Sequence, residues 1–289
     1  MTPDIEYLKE GCRILGEDFG FARADNAAGI LGFGYGVILR DGAWSDTIGL
    51  VLLAKRDREG FPYAGLEVTV RGQVQVIPCC TFLLDGFAYA RVPAEPVGGV
   101  PELEIGAPLS TTPGFAEGTW TCFIGNPARY ALTAAHVFET AADNTPVYCG
   151  SRRVGTFRRV SQDVARVDLL PEFGRQARSR TPDGHLIAGP TSPSLKHLNQ
   201  RGTVYCPTRQ RSEHPLILAA GMTVHLLRTA NGLLTQHDVV MTEGCTHPGD
   251  SGTALITRQG FSIGILSHGR KEFSFFESIH SRYLDVELA

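Results

Sequence analysis

Two short motifs constrain this chain more than any other feature. Gly249-Asp250-Ser251-Gly252 sits inside the run Glu243 to Leu255, and Thr133-Ala134-Ala135-His136-Val137 lies upstream. A serine hydroxyl is a poor nucleophile at neutral pH. It needs an adjacent base and donors for the oxyanion that forms on attack. A glycine-flanked turn can expose Ser251 and aim the Gly249 and Ser251 N–H groups at one point, with His136 as the candidate base. Alone, Gly-Asp-Ser-Gly reads as an ordinary turn. Paired with Thr-Ala-Ala-His it points to a serine-nucleophile site, so the fold must bring two distant segments together.

Such a site needs a carboxylate to hold the imidazole tautomer and stabilise the imidazolium. The stretch Asp163 to Leu170 offers two. Val164, Ala165 and Val167 read as a short buried strand. Asp163 stands at its start, where a carboxylate can leave the strand and reach the histidine, and is preferred. Asp168, at the far end, is the alternative and otherwise reads as a solvated turn residue.

The order His136, Asp163, Ser251, with these flanking residues, resembles the chymotrypsin (trypsin-like) serine peptidase family, in its compact bacterial form. The resemblance covers roughly 115–289 and is vague between about 172 and 215. It implies a mainly β fold of two antiparallel Greek-key barrels, with the site in the cleft between them. His136 and Asp163 would come from the first barrel. Ser251 and an oxyanion hole of the Gly249 and Ser251 amides would come from the second. The implied chemistry is peptide-bond hydrolysis through an acyl-enzyme, on a protein or peptide substrate, with no metal or organic cofactor.

Gly264 to Gly269 is similar to the family's strand beside the substrate, which would set Ser267 under Asp163 and let Gly269 pair with substrate backbone. By the same likeness Cys245 falls at the floor of the pocket for the P1 side chain, with Thr246 next to it and His247 and His268 nearby. A neutral Cys245 gives no charge to select Arg or Lys. His268 either reaches an acidic P1 group or packs as a neutral ring. Glu272 would favour a basic P1 group if it turned inward.

The chain also departs from the family. Val137 follows His136 where the animal enzymes carry a cysteine, which leaves Cys122 without that partner. The seven cysteines are odd in number and show no framework or zinc spacing. Adjacent Cys79 and Cys80 read as two ordinary thiols. The first residues, Met1 to Lys9, lack the basic and apolar regions of a leader, and no apolar run is long enough to span a bilayer. These features lead to the expectation of a reduced, cytoplasmic protein with a regulatory or defence role. Asp250, which in the family's zymogens pairs with a new amino terminus, is expected to be satisfied by local donors here.

At 289 residues and 43% hydrophobic content, the chain can hold two cores. A net charge of −3 gives no electrostatic case for nucleic acid or anionic membrane. The expected organisation is an accessory α+β domain over 1–95, a linker over 96–114 and the peptidase-like domain over 115–289. The linker rests on the Pro/Gly-rich stretch from Val92 to Pro113. In the first domain Asp4 starts a helix whose apolar face is Ile5, Leu8, Cys12 and Leu15. Strands are expected over 28–39, 47–54 and 66–77. The glycines of Gly32-Phe33-Gly34-Tyr35-Gly36 would form a nucleotide loop only if a helix followed; Val37-Ile38-Leu39-Arg40 follows, so strand glycines are expected. Residues 1–95 are expected to control access or to recruit a regulatory partner. The alternatives are a silent binding or scaffold protein on the same fold, or an esterase using the same triad.

Overall fold

The computed structural model describes residues 3–18, 29–55, 64–84, 95–96, 102–138, 141–161, 163–228, 232–269 and 271–279. Strands dominate among them. The chain divides into two units. One holds Met1–Tyr89, Ser194–Asn199 and Ile217–Met241; the other holds Ala90–Pro193, Gln200–Leu216 and Thr242–Ala289.

In the first unit, helix α1 (Ile5–Asp18) begins where the Asp4 carboxylate accepts the Glu6 amide at 3.0 Å, satisfying one of the free donors of the first turn. Leu8 and Leu15 are fully buried on its inner face. Strands β1 (Ile30–Arg40) and β2 (Ala43–Lys55) are antiparallel and joined at Asp41-Gly42. Strands β3 (Gly65–Val70) and β4 (Gln73–Leu84) are joined at Arg71-Gly72. All four turn residues have positive φ, which is what a two-residue turn matching the strand twist requires. The second turn divides the expected 66–77 strand into two. β4 returns parallel to β2, with Leu50 opposite Cys79.

The sheet runs in the order Gly232–Glu243, Ile217–Arg228, β1, β2, β4, β3. The glycines of β1 lie within this ladder, and a Cβ on Gly34 would stand 2.8 Å from the Met222 Cα. They therefore serve close strand approach. Because β1 pairs with Ile217–Arg228, the segment Ile217–Met241 groups with the amino-terminal residues and not with 115–289. The 96–114 stretch also differs from a linker. Glu95–Pro96 pairs with Phe115–Ala116, and Leu103, Ile105 and Leu109 are core residues of the second unit. Among the described residues, Gly106, Pro108, Pro113 and Gly114 punctuate short strands and turns between these buried side chains.

The second unit contains a five-stranded antiparallel sheet in the order Pro146–Cys149, Arg152–Arg159, Val164–Leu169, Ala128–Ala134, Cys122–Gly125. Trp120, Leu132, Phe138, Phe157 and Val167 fill its core, with the Phe138 and Phe157 rings edge to face at 5.0 Å. A second group of strands, part of the ten-stranded sheet, is built on Phe261–Gly269, which pairs with Phe273–Ser278, Ala254–Ile256 and Gly189–Pro190. Ile256, Ala254 and Ile265 join the same core as the five-stranded sheet.

All seven cysteines are free thiols. Burial pushes Cys122 up to about 12, which makes it a poor nucleophile at neutral pH. No described helix is long and apolar enough to cross a membrane. By the family resemblance Tyr283–Leu288 would form a short terminal helix, and these residues lie outside the described ones.

Candidate active site

His136 and Asp163 are brought together by strand register. Ala134 at the end of its strand pairs with Val164 at the start of the neighbouring antiparallel strand. The next residues on each side, Ala135 and Asp163, continue face to face, and the Ala135 amide donates to the Asp163 carbonyl at 2.7 Å. One step further His136 begins to coil within the short 3-10 turn Ala135–Phe138. Its ring then meets the Asp163 carboxylate, with Nδ1 2.8 Å from Oδ1 and 3.0 Å from Oδ2. The His136 amide donates to Oδ1 as well, at 2.9 Å. Ser267 donates its hydroxyl to Oδ2.

Asp163 is 1% exposed. Burial alone would raise its pKa. The His136 charge, the His136 and Ser267 hydrogen bonds, and the His268 charge together reverse that and hold the carboxyl below the usual range. An ionised Asp163 can only accept hydrogen bonds. It therefore holds a His136 proton on Nδ1, the ring nitrogen that faces the carboxylate. Asp168 is elsewhere: its carboxylate is bonded to Arg166, with Arg158 at 3.7 Å.

The turn that carries Ser251 is held from both ends. Asp250 is fully buried, and its carboxylate accepts the Thr208 amide (3.1 Å), the Thr208 hydroxyl (2.8 Å) and the His247 amide (2.9 Å). On the other side Thr119 donates to the Ser251 carbonyl through its amide at 3.0 Å and its hydroxyl at 3.2 Å. Thr121 donates to the Gly252 carbonyl. Thr133, on the strand leading to His136, donates to the Thr119 carbonyl at 2.7 Å. Three buried threonines thus tie the Ser251 turn to the strand that delivers the histidine.

Gly249 and Gly252 have φ of +99° and +89°, values that side-chain-bearing residues rarely adopt. A Cβ on Gly252 would also lie 2.6 Å from the Thr119 carbonyl oxygen. The Gly249 and Ser251 amides have no acceptor among the described residues. Ser251 itself is partly exposed.

Beside the turn, Cys245, Thr246 and Ser274 are buried and uncharged. Thr246 and Ser274 share a hydroxyl hydrogen bond of 2.8 Å, and the Cys245 thiol lies 3.7 Å from the Ser274 Oγ. Thr246 packs closely on Gly269, where a Cβ would fall 2.1 Å from its Oγ1. His268 is stacked on Phe275, with ring centroids 5.6 Å apart. His247 is exposed and accepts from the Arg209 guanidinium. The Glu272 side chain is exposed, and its carbonyl accepts the Gly244 amide at 2.8 Å.

The structure therefore brings His136, Asp163 and Ser267 into one hydrogen-bonded cluster, and Cys245 and Thr246 into another with Ser274. Sequence reasoning named no role for Thr119, Thr121, Thr208 or Ser274. Thr133 lay within a quoted motif. The others sit far in sequence from the residues they hold and carry no local signal.

The chain belongs to the trypsin-like peptidase domain family, which it matches over residues 120–265, just over half its length. A search of curated proteins found no significant match. Among solved structures it is similar to the chymotrypsin of Cellulomonas bogoriensis, with 18% identity over 63% of this chain and 94% of that one, and a TM-score of 0.49. It is similar to a Nocardiopsis protease with 20% identity, 63% and 95% coverage and a TM-score of 0.49. It is also similar to Thermobifida fusca protease A with 17% identity, 63% and 95% coverage and a TM-score of 0.47.

Proposed function

We propose that this chain is a cytoplasmic serine endopeptidase that works through an acyl-enzyme, in a regulatory or defence role. The observation that carries the reading is the buried Asp163 carboxylate on the Nδ1 side of His136. It leaves Nε2 as the base for a serine on a turn with two amides that have no acceptor among the described residues. In this reading Ser251 Oγ attacks the scissile carbonyl while His136 Nε2 takes its proton. The Gly249 and Ser251 amides stabilise the oxyanion. His136, now an imidazolium held by Asp163, returns the proton to the leaving amine. Water then repeats the sequence on the acyl-enzyme, releasing Ser251. The chemistry is complete with side chains and water.

The five-stranded sheet and the group of strands around Phe261–Gly269 are read as the family's two Greek-key barrels. The Ser267–Gly269 edge is read as the strand on which substrate backbone pairs. The uncharged Cys245, Thr246 and Ser274, with Thr246 pressed on Gly269, favour a small neutral P1 side chain over Arg, Lys or Glu. Residues 1–95 are read as the part that controls access or recruits a protein partner.

The test compares wild type and Ser251→Ala on peptides with Ala, Arg, Glu and Phe at P1 and on a simple ester. The expected result is peptide cleavage fastest with Ala and a loss of about 10⁶ in kcat in the variant. Ester turnover without peptide turnover would replace endopeptidase by esterase. Neither activity in folded wild type would leave a binding protein on a peptidase fold.

A further inference from the structure

Asp163 sits in a tight turn, and a second buried carboxylate stands behind that turn. Glu277 is 6% exposed and lies on Phe273–Ser278, opposite Ile265 on Phe261–Gly269. Its Oε1 accepts the Ser161 hydroxyl proton at 2.6 Å. With that proton committed, the Ser161 oxygen is left as an acceptor, and the Val164 amide donates to it at 3.0 Å. The Ser161 amide closes the turn on the Val164 carbonyl at 3.1 Å. Asp163 lies between these two residues. The hairpin that includes Glu277 also supplies Ser267, which donates directly to Asp163 Oδ2. One hairpin thus braces the carboxylate twice: at its oxygen through Ser267, and at its backbone through Glu277 and Ser161.

We propose that Glu277 is a positioning residue which, through Ser161, sets the turn that presents Asp163 to His136. The proposal rests on the peptidase reading above and deepens it. Glu277 touches no reacting atom. It fixes the rotation of one hydroxyl, and that hydroxyl fixes one backbone amide. A hydrogen bond buried away from water is electrostatically stronger than one in water, so the turn is stiffer than its own backbone bonds would make it. Loosening it would shift the Asp163 oxygens against His136 Nδ1 while leaving the substrate-binding residues in place. The expected signature is a fall in kcat at constant KM.

The test uses the full chain with Glu277→Met, Glu277→Gln and Ser161→Ala. It reads kcat and KM, and separately the downfield proton resonance of the His136 Nδ1–H bonded to Asp163. Misplacement by about 1 Å costs about 10²-fold in rate, so Glu277→Met and Ser161→Ala should lose about 10- to 100-fold in kcat. Glu277→Gln keeps an acceptor for Ser161 and should stay within a few-fold of wild type. The Met and Ala variants should lose or shift the Nδ1–H resonance, and their double variant should be little worse than either alone because both act on one link.

Folded Glu277→Met and Ser161→Ala with wild-type kcat and an unmoved resonance would overturn the proposal. Equal losses in Glu277→Gln and Glu277→Met would do the same. If Glu277→Met does not fold, Ser161→Ala decides alone. If wild type hydrolyses no peptide, the peptidase reading fails, and the resonance still judges the brace without turnover.

Discussion

The two halves of the candidate site are held in place by different means. The His136–Asp163 pair is set by a strand ladder, in which Ala134 opposite Val164 dictates that the next residues meet. The Ser251 turn has a ladder on one side only, where the Gly252 amide donates to the Leu266 carbonyl at 3.0 Å and the Leu266 amide to the Thr253 carbonyl at 2.9 Å. Its other supports include side chains that reach in from elsewhere in the sequence: Thr208 onto Asp250, Thr119 onto the Ser251 carbonyl, and Thr121 onto the Gly252 carbonyl. Geometry set by backbone register survives most side-chain changes. Geometry set by single hydroxyls does not. The histidine side should therefore be sensitive at the reacting groups and at the single brace behind Asp163 formed by Ser161 and Glu277, and the serine side at several residues that touch no substrate.

The sharpest break in that comparison comes from the carboxylates of one strand. Asp163→Asn should lose about 10⁴ in kcat, because an amide no longer enforces the Nδ1 tautomer. Asp168→Asn should stay near wild type, because Asp168 is engaged with Arg166 and Arg158. Steady-state kinetics on both variants checks the ranking, and a reversal would mean that the register drawn here is wrong.

A smaller effect is expected on the serine side. Thr208→Val removes one of the three donors to the buried Asp250 carboxylate. A hydrogen bond to a charged group is worth about 1.5–3 kcal/mol. The variant should unfold at lower denaturant and lose activity by roughly tenfold if half of that loss reaches the transition state. Normal stability and activity together would show that the turn does not depend on Thr208.

The smallest effect is on stability in acid. The folded pKa of Asp163 lies below its ordinary value of 3.8. A depressed carboxylate contributes stability that is present above the unfolded pKa and is lost as pH falls through the folded one. Unfolding free energy should therefore decline below about pH 4. The decline should be shallower in Asp163→Asn, as urea titrations at stepped pH would show. Equal slopes would remove the ionised carboxylate from the account.

What could be read from the sequence follows the same division. The meeting of His136 with Asp163 and the glycine turn around Ser251 were legible because each stands in a short motif whose chemistry is local. Helix α1 was legible from Asp4 and the spacing of Leu8, Cys12 and Leu15. The Arg71-Gly72 turn carries a hairpin signal, a glycine after a polar residue between alternating strands, which the continuous alternation from 66 to 77 hides. The Leu103–Leu109 stretch reads as a linker by its glycine and proline, while the apolar residues between them are what the fold buries. Thr208, Glu277 and the pairing of β1 with Ile217–Arg228 had no local signature. Each depends on a partner far along the chain, and one sequence does not disclose which distant residues meet.

The proposed function requires Ser251 to be an activated nucleophile with His136 as its base. The most direct measurement is covalent labelling of the full chain by a fluorophosphonate probe, read by intact mass and peptide mapping. One adduct per chain is expected, on Ser251, absent from Ser251→Ala and strongly slowed in His136→Ala. An unlabelled but folded wild type, or an adduct on another residue that persists in Ser251→Ala, would contradict it.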